Sequence, residues 1–271
     1  PYFNPEDTKK NKKYGYYSRH GYSHEKENPG SQVAIPEIKE IELINHLYPK
    51  FFLSEDYRTV RTSIMLSHAE STPKAIVFSS ALPQEGKTST VVNMAVAFSQ
   101  LDKKVLVIDA DLRKPRLHKV FNIRNLHGLS GYLIGMESFE GAIHQTSVKN
   151  IWLLPTGLIP PNPAELLNSQ KMKELIEEVK KKFDIILIDS TPVLAVVDAV
   201  IISSLADSMV LVIKPGGVTR KAFMSAVEEL KRSKVKIIGV VFNGVNAKKG
   251  DYSFMDYYHY YRYYHYEGEG K

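Results

Sequence analysis

Cysteine is absent from the 271 residues. That excludes disulfides, thiolate metal sites and a cysteine nucleophile, and it fits a reducing compartment. No run approaches 18 apolar residues, so nothing reads as a membrane span, and no secretory signal is visible. There is no basic recognition helix and no aromatic ribonucleoprotein motif, so nucleic acid is not an expected partner. A formal net charge of +6 tolerates an anionic partner without identifying one. What remains is an ordinary hydrophobic content of 43% and enough length for one large α/β domain with appendages.

Tyrosine is present in excess, and unevenly. Eight of the fifteen residues from Tyr252 to Tyr266 are tyrosine: Tyr252, Tyr257, Tyr258, Tyr260, Tyr261, Tyr263, Tyr264 and Tyr266. A core has no use for so many hydroxyls, because each buried one needs a partner. No helical or strand stripe separates an inner from an outer face. The composition implies an exposed, flexible C-terminal tail, residues 248–271, whose useful property is its phenols. His259 and His265 lack acidic or cysteine companions at ligand spacing, so no metal site is expected there. Residues 1–35 are also polar, with Lys9, Lys10, Lys12, Lys13 and five tyrosines (Tyr2, Tyr14, Tyr16, Tyr17, Tyr22), and read as a flexible extension.

Between these tails the pattern is that of a layered domain. Residues 36–72 carry a short apolar stripe over Ile38–Leu47 and a helix from Ser54, its expected cap, to about His68. Residues 73–247 alternate continuous apolar strands with helices. Strands are expected at 75–80, 105–109, 150–155, 184–189, 208–213 and 236–243. Helices are expected at 87–101, 168–182, 198–205 and 219–233. This is a parallel sheet covered on both faces, and ligands of such sheets bind beyond the strands' carboxyl ends. Ser80, Asp109, Asp189 and Asn243 fall at that edge.

The segment Pro83-Gln84-Glu85-Gly86-Lys87-Thr88-Ser89 lies between a strand and a helix, where a phosphate-binding loop belongs. Backbone N–H groups and the helix N-terminus would face the anion, Lys87 adds charge, and Thr88 offers Mg²⁺ a hydroxyl. The strict pattern wants glycine where Ala81 stands. Asp189 ends an apolar strand, as a Mg²⁺-holding carboxylate does. Asp109-Ala-Asp111-Leu-Arg113-Lys-Pro115 adds two carboxylates and two cations. Phosphoryl transfer needs a metal on the phosphates, a carboxylate near the attacking oxygen and cations for the developing charge.

Together these motifs resemble the bacterial tyrosine kinases of capsular and exopolysaccharide synthesis, over roughly residues 50–271. The loop Ser80–Thr88 matches that family's Walker A motif, Val105–Pro115 its Walker A′, Ile186–Asp189 its Walker B, and the tyrosine-rich end its acceptor cluster. Glu55, Arg58 and Arg61 match its Glu-x-x-Arg-x-x-Arg motif, which in the family mediates ring-like oligomers, and Pro160–Leu166 matches a family loop. The family usually has glycine at Gln84 and proline at Thr191. Gln84 must then follow the loop's turn, at some strain if its φ is positive.

The resemblance implies a fold of the P-loop NTPase kind, ATP and Mg²⁺ as cofactors, and tyrosine autophosphorylation. By carry-over, Lys87 contacts the β- and γ-phosphates, and Thr88, Asp189 and one of Asp109 and Asp111 surround the metal. Asp109 is expected to orient and deprotonate the phenol, with Asp111 supporting the metal; the split between them stays open. Arg113 joins the nucleotide site, and Asn243 occupies a position that often reads adenine. The implied partners are further copies of the chain, a transmembrane polysaccharide co-polymerase that activates the kinase at the inner face of the membrane, and a tyrosine phosphatase. The first segment could be a piece of that activator joined to the kinase. The competing class is a nucleotide-switched scaffold, like the ATPases that position septa or segregate plasmids. Those carry an extra lysine where Leu82 stands, and lack a tyrosine tail.

Overall fold

The computed structural model describes residues 41–49, 52–67 and 72–245. Both tyrosine-rich ends, with all the acceptor tyrosines named above, lie outside the described residues, as do His259 and His265. So do residues 38–40 of the first apolar stripe.

A 3-10 turn at Ile41–Leu43 leads into α1 (Ile44–Leu47) and α2 (Phe52–Met65). The core follows as β1 (Ala75–Ser80), α3 (Lys87–Ser99), β2 (Val105–Asp109), α4 (Leu117–Val120), α5 (Leu129–Leu133), α6 (Phe139–Ala142), β3 (His144–Gln145) and β4 (Ile151–Leu154). It continues as α7 (Pro163–Leu167), α8 (Gln170–Lys182), β5 (Ile185–Asp189), α9 (Asp198–Leu205), β6 (Ser208–Ile213), α10 (Arg220–Arg232) and β7 (Ile237–Phe242).

One seven-stranded sheet, in the order β3-β4-β2-β5-β1-β6-β7, forms the centre. Every pairing is parallel except that of β3 with β4. The central strands are apolar through their middle because both faces are covered, and turn polar at the carboxyl ends of β1, β2 and β5 with Ser79, Ser80, Asp109 and Asp189. Ile76 and Phe78 of β1 join the layer built with α2 and α3, and Ala75 and Val77 join the opposite layer under α8, α9 and α10. The same alternation runs through β2, β5 and β6, as a two-residue strand repeat dictates.

Several expectations move by a few residues. Ser54 is not a cap: α2 begins at Phe52, and the Ser54 hydroxyl donates to the Tyr48 carbonyl at 2.8 Å. The helix expected at 168–182 begins at Gln170, just after Ser169. That residue caps α8 through a bond from Met172 N at 3.2 Å, and α7, with proline at its first position, precedes it. The two-residue β3 and the short helices α4, α5 and α6 lack the length that makes periodicity visible.

The N-terminal helices are fastened to α3 through a buried asparagine pair. Asn45 N donates to Asn93 Oδ1 at 3.0 Å, and Asn45 Nδ2 donates to the Asn93 carbonyl at 2.9 Å. Arg61 reaches from α2 to the Ala97 carbonyl at 2.7 Å. Among the described residues no helix is long and apolar enough to cross a membrane. Asn45→Ala removes a buried side-chain donor, and chemical denaturation should register a loss of about 1–2 kcal/mol; an unchanged midpoint and slope would show that the pair contributes nothing.

Candidate active site

The carboxyl ends of β1, β2 and β5 meet at one edge, and the β2–β5 register sets Asp109 opposite Asp189. Both carboxylates are buried. Asp189 Oδ2 accepts the Thr88 hydroxyl at 2.6 Å, which ties the strand end to the first turn of α3. Asp109 Oδ2 accepts the backbone N–H groups of Arg116 at 3.2 Å and Leu117 at 3.0 Å. The other oxygen of each, Asp109 Oδ1 and Asp189 Oδ1, is buried without a hydrogen-bond partner. Thr156, just past β4, donates its hydroxyl to the Asp109 carbonyl at 2.9 Å and fixes the backbone there.

Two buried like charges raise each other's proton affinity. Burial pushes the Asp109 carboxyl well above its ordinary range, and the neighbouring Asp189 adds to this; the Leu117 N–H opposes it. Burial likewise lifts Asp189 from 3.8 to about 6, against the pull of Lys87 and the Thr88 hydrogen bond. Two orphaned carboxylate oxygens beside a threonine hydroxyl fit a hard, oxygen-seeking cation such as Mg²⁺. Among the described residues no group of three or more acidic, histidine or cysteine side chains could hold a metal. That also suits Mg²⁺, which takes one or two carboxylates and fills its shell with phosphate and water.

The loop from Ala81 to Gly86 is stiffened from within. Gly86 caps α3 in the left-handed region, with φ of 89°. A Cβ there would meet Asn243 Nδ2 at 1.7 Å, so glycine is required by space as well as by conformation. Gln84 is also left-handed, with φ of 64°, which costs a non-glycine residue about 1–2 kcal/mol. Ala81 is buried in the core and needs no positive φ, which explains why the missing glycine at that position is tolerated. The side chain of Glu85 turns inward, 2% exposed, and accepts from Leu82 N at 2.7 Å and Lys214 N at 3.2 Å. Asn243 Nδ2 donates to the Glu85 carbonyl at 3.0 Å. The Glu85 side chain and the Asn243 amide therefore brace the loop. The N–H groups of the first turn of α3, which includes Lys87, Thr88 and Ser89, have no intrahelical acceptors and face this edge.

Arg113 does not pair with Asp111. Its guanidinium forms a two-pronged bond to Asp198, at 2.7 Å from Nε and 3.0 Å from Nη2, and this pairing holds its proton affinity up. Asp198 is 1% exposed and opens α9. It is the residue that sequence reasoning missed, since a lone helix-opening aspartate carries no motif. Asp111 Oδ1 instead accepts Lys114 N at 2.9 Å, closing the turn after β2. Far from this edge, Arg58 pairs with Glu55 and donates to the Pro49 carbonyl at 2.9 Å.

Known proteins share this arrangement. A family model described as an AAA domain matches residues 74–238. Tyrosine-protein kinase YwqD of Bacillus subtilis is 43% identical over 207 residues, covering 76% of this chain and 87% of that protein. The chain belongs to the bacterial tyrosine-protein kinase family. The solved kinase domain of the Escherichia coli tyrosine kinase ETK superposes with a TM-score of 0.74 at 32% identity, covering 78% of this chain and 82% of that domain. The septum site-determining protein of Pyrococcus horikoshii, solved with Mg-ADP, follows at a TM-score of 0.56 and 27% identity, over 65% of this chain and 72% of that one. The family core thus sits on a P-loop NTPase-like fold, and the phosphate loop, Asp109 and Asp189 all lie within the matched span.

The buried pair makes stability depend on pH. The folded-state value of Asp189 lies above its unfolded one, so its contribution is fully present below about pH 3.8 and is lost as pH rises through about 6. Those roughly two units amount to about 3 kcal/mol by pH 8. Without nucleotide or metal, Asp189→Asn should therefore gain about 2–3 kcal/mol in urea denaturation at pH 8 and almost nothing at pH 4. Equal gains at both pH values would contradict the assignment.

Proposed function

We propose that the protein is an ATP-dependent protein-tyrosine autokinase that phosphorylates its own C-terminal cluster from Tyr252 to Tyr266 and so regulates the synthesis and export of capsular or exopolysaccharide. The observation that carries this is the facing pair Asp109 and Asp189, each with one unpartnered buried oxygen, beside Thr88 and the phosphate loop.

In this reading the loop from Pro83 to Ser89, through the N–H groups of Gln84 to Ser89, and the Lys87 ammonium bind the β- and γ-phosphates. Thr88, Asp189 and one of Asp109 and Asp111 hold Mg²⁺, which when bound supplies charge neutralisation on the phosphates. Asp109 orients the incoming phenol and takes its proton at Oδ1, since Oδ2 is occupied by two backbone donors. A carboxylate whose proton affinity is raised by burial is a better base for a phenol of ordinary pKa about 10. The phenol oxygen bonds to the γ-phosphorus as the bond to the β-bridging oxygen breaks, and ADP leaves. Arg113, held by Asp198, keeps the Asp109–Asp111 segment in place, and reaches a phosphate only by exchanging that partner. Asn243 serves the nucleotide site by bracing the loop, with adenine within its remit.

Residues 36–72 form the oligomerisation unit through Glu55, Arg58 and Arg61, and transfer runs in trans within a ring. From Asn243 to Tyr257 the chain extends up to roughly 46–50 Å, so reach permits either route. Full modification of eight tyrosines adds roughly −12 to −16 charges against a formal +6, enough to drive copies apart. A transmembrane activator recruits the chain to the inner face of the membrane, residues 1–35 are a candidate segment of it, and a tyrosine phosphatase resets the tail. The nucleotide-switched scaffold remains the second reading, favoured by the likeness to the septum-positioning ATPase.

Incubation with ATP separates the two. Phosphotyrosine is expected on the wild-type tail by mass spectrometry, with at least a hundredfold loss, in order of magnitude, in Lys87→Met and Asp109→Ala. A clean wild-type tail with ATP turnover would establish the scaffold instead. The route is read by mixing Lys87→Met chains with active ones: phosphate on the inactive chain requires transfer in trans, and its absence means transfer in cis.

A further inference from the structure

The rim next to Asp109 carries an exposed apolar patch that no part of the phosphate machinery uses. Asn125 and Gly157 clasp each other, with Asn125 Nδ2 donating to the Gly157 carbonyl at 2.8 Å and Gly157 N donating to Asn125 Oδ1 at 2.9 Å. The residues that follow the two halves of the clasp are Leu126, 57% exposed, and Leu158, 68% exposed, and the next residue, Ile159, is 62% exposed. Ser130 locks the patch by donating to the Leu158 carbonyl at 2.6 Å. The segment is anchored to the site itself, because Thr156, two residues before Leu158, bonds the Asp109 carbonyl. Three large aliphatic side chains held open on a rigid rim mark a contact surface.

We propose that Leu126, Leu158 and Ile159 form the acceptor platform, on which a tyrosine ring of the segment Tyr252–Tyr266 lies while its hydroxyl reaches Asp109. This deepens the autokinase reading and rests on it. A tyrosine has an apolar body and a polar tip, which matches an apolar rim bordering a carboxylate. The segment's length allows it to reach the platform of its own copy as well as that of a neighbour. The chain beyond Val245 leaves from the β7 side of the sheet, five strand positions from β4, or roughly 24 Å. Tyr257 lies twelve residues past Val245, a span of up to roughly 40 Å. The platform recognises a ring and not a flanking sequence, so several tyrosines of one cluster serve in turn.

The test uses the full-length chain carrying Leu158→Ser with Ile159→Ser, and a synthetic peptide of residues 252–266 as added acceptor. The expected result is a rise of about tenfold or more in KM for the peptide, with kcat and the affinity for ATP within about threefold of wild type. Leu158→Phe should restore the peptide KM. An unchanged peptide KM in the double variant overturns the platform while leaving the kinase reading intact. No phosphate on the peptide or the tail of the wild type overturns the kinase reading itself, and the platform with it. If the double variant melts at a lower temperature than wild type, Leu126→Ser, on the opposite side of the clasp, gives the same readout.

Discussion

Two carboxylates buried side by side are the constraint around which this domain is arranged. The parallel β2–β5 register forces Asp109 and Asp189 to the same level of the same edge, where neither reaches water. Their desolvation, and the repulsion that Asp189 exerts on Asp109, are only partly offset by the Thr88 hydroxyl, the Lys87 charge and two backbone N–H groups. Two buried carboxylate oxygens without a hydrogen-bond partner are frustrated groups that a cation would satisfy. Such frustration is characteristic of sites built for a ligand rather than for stability.

The phosphate loop shows the same trade at the backbone level. Gln84 in a left-handed conformation is costly where glycine would be free, and the loop holds it there. Glu85 is pinned to Leu82 and Lys214 from inside, and Asn243 fills the space that only Gly86 leaves. Preorganisation of this kind keeps the N–H groups aimed at an anion before one arrives. The apolar rim of Leu126, Leu158 and Ile159 is fixed just as firmly, by the Asn125–Gly157 clasp and by Thr156.

The N-terminal helices join this core through few but buried contacts: the Asn45–Asn93 pair and the reach of Arg61 to Ala97. Arg58 and Glu55 pair with each other on the surface, where an isolated ion pair contributes little. Of the sixteen tyrosines, only Tyr48, Tyr57 and Tyr132 fall within residues 41–245, and Tyr57 is buried. The other thirteen belong to the two ends of the chain.

Much of this was legible in the order of residues. Continuous apolar strands between amphipathic helices dictate a doubly covered parallel sheet, and that topology alone carries Asp109 and Asp189 to one edge. The glycine, lysine and threonine at 86–88 announce an anion site, because local chemistry suffices to build one at a helix start. The short elements β3, α4, α5 and α6 escaped notice, since none spans enough residues to display a period. The partners of Arg113, Glu85 and Asn243 escaped for a different reason. Asp198 lies 85 positions from Arg113, and Asn243 lies 158 from Glu85. Sequence determined which groups this protein carries and which edge they share. Only the tertiary structure decided which of them stay free, because a hydrogen-bond partner is chosen by proximity in space and not along the chain.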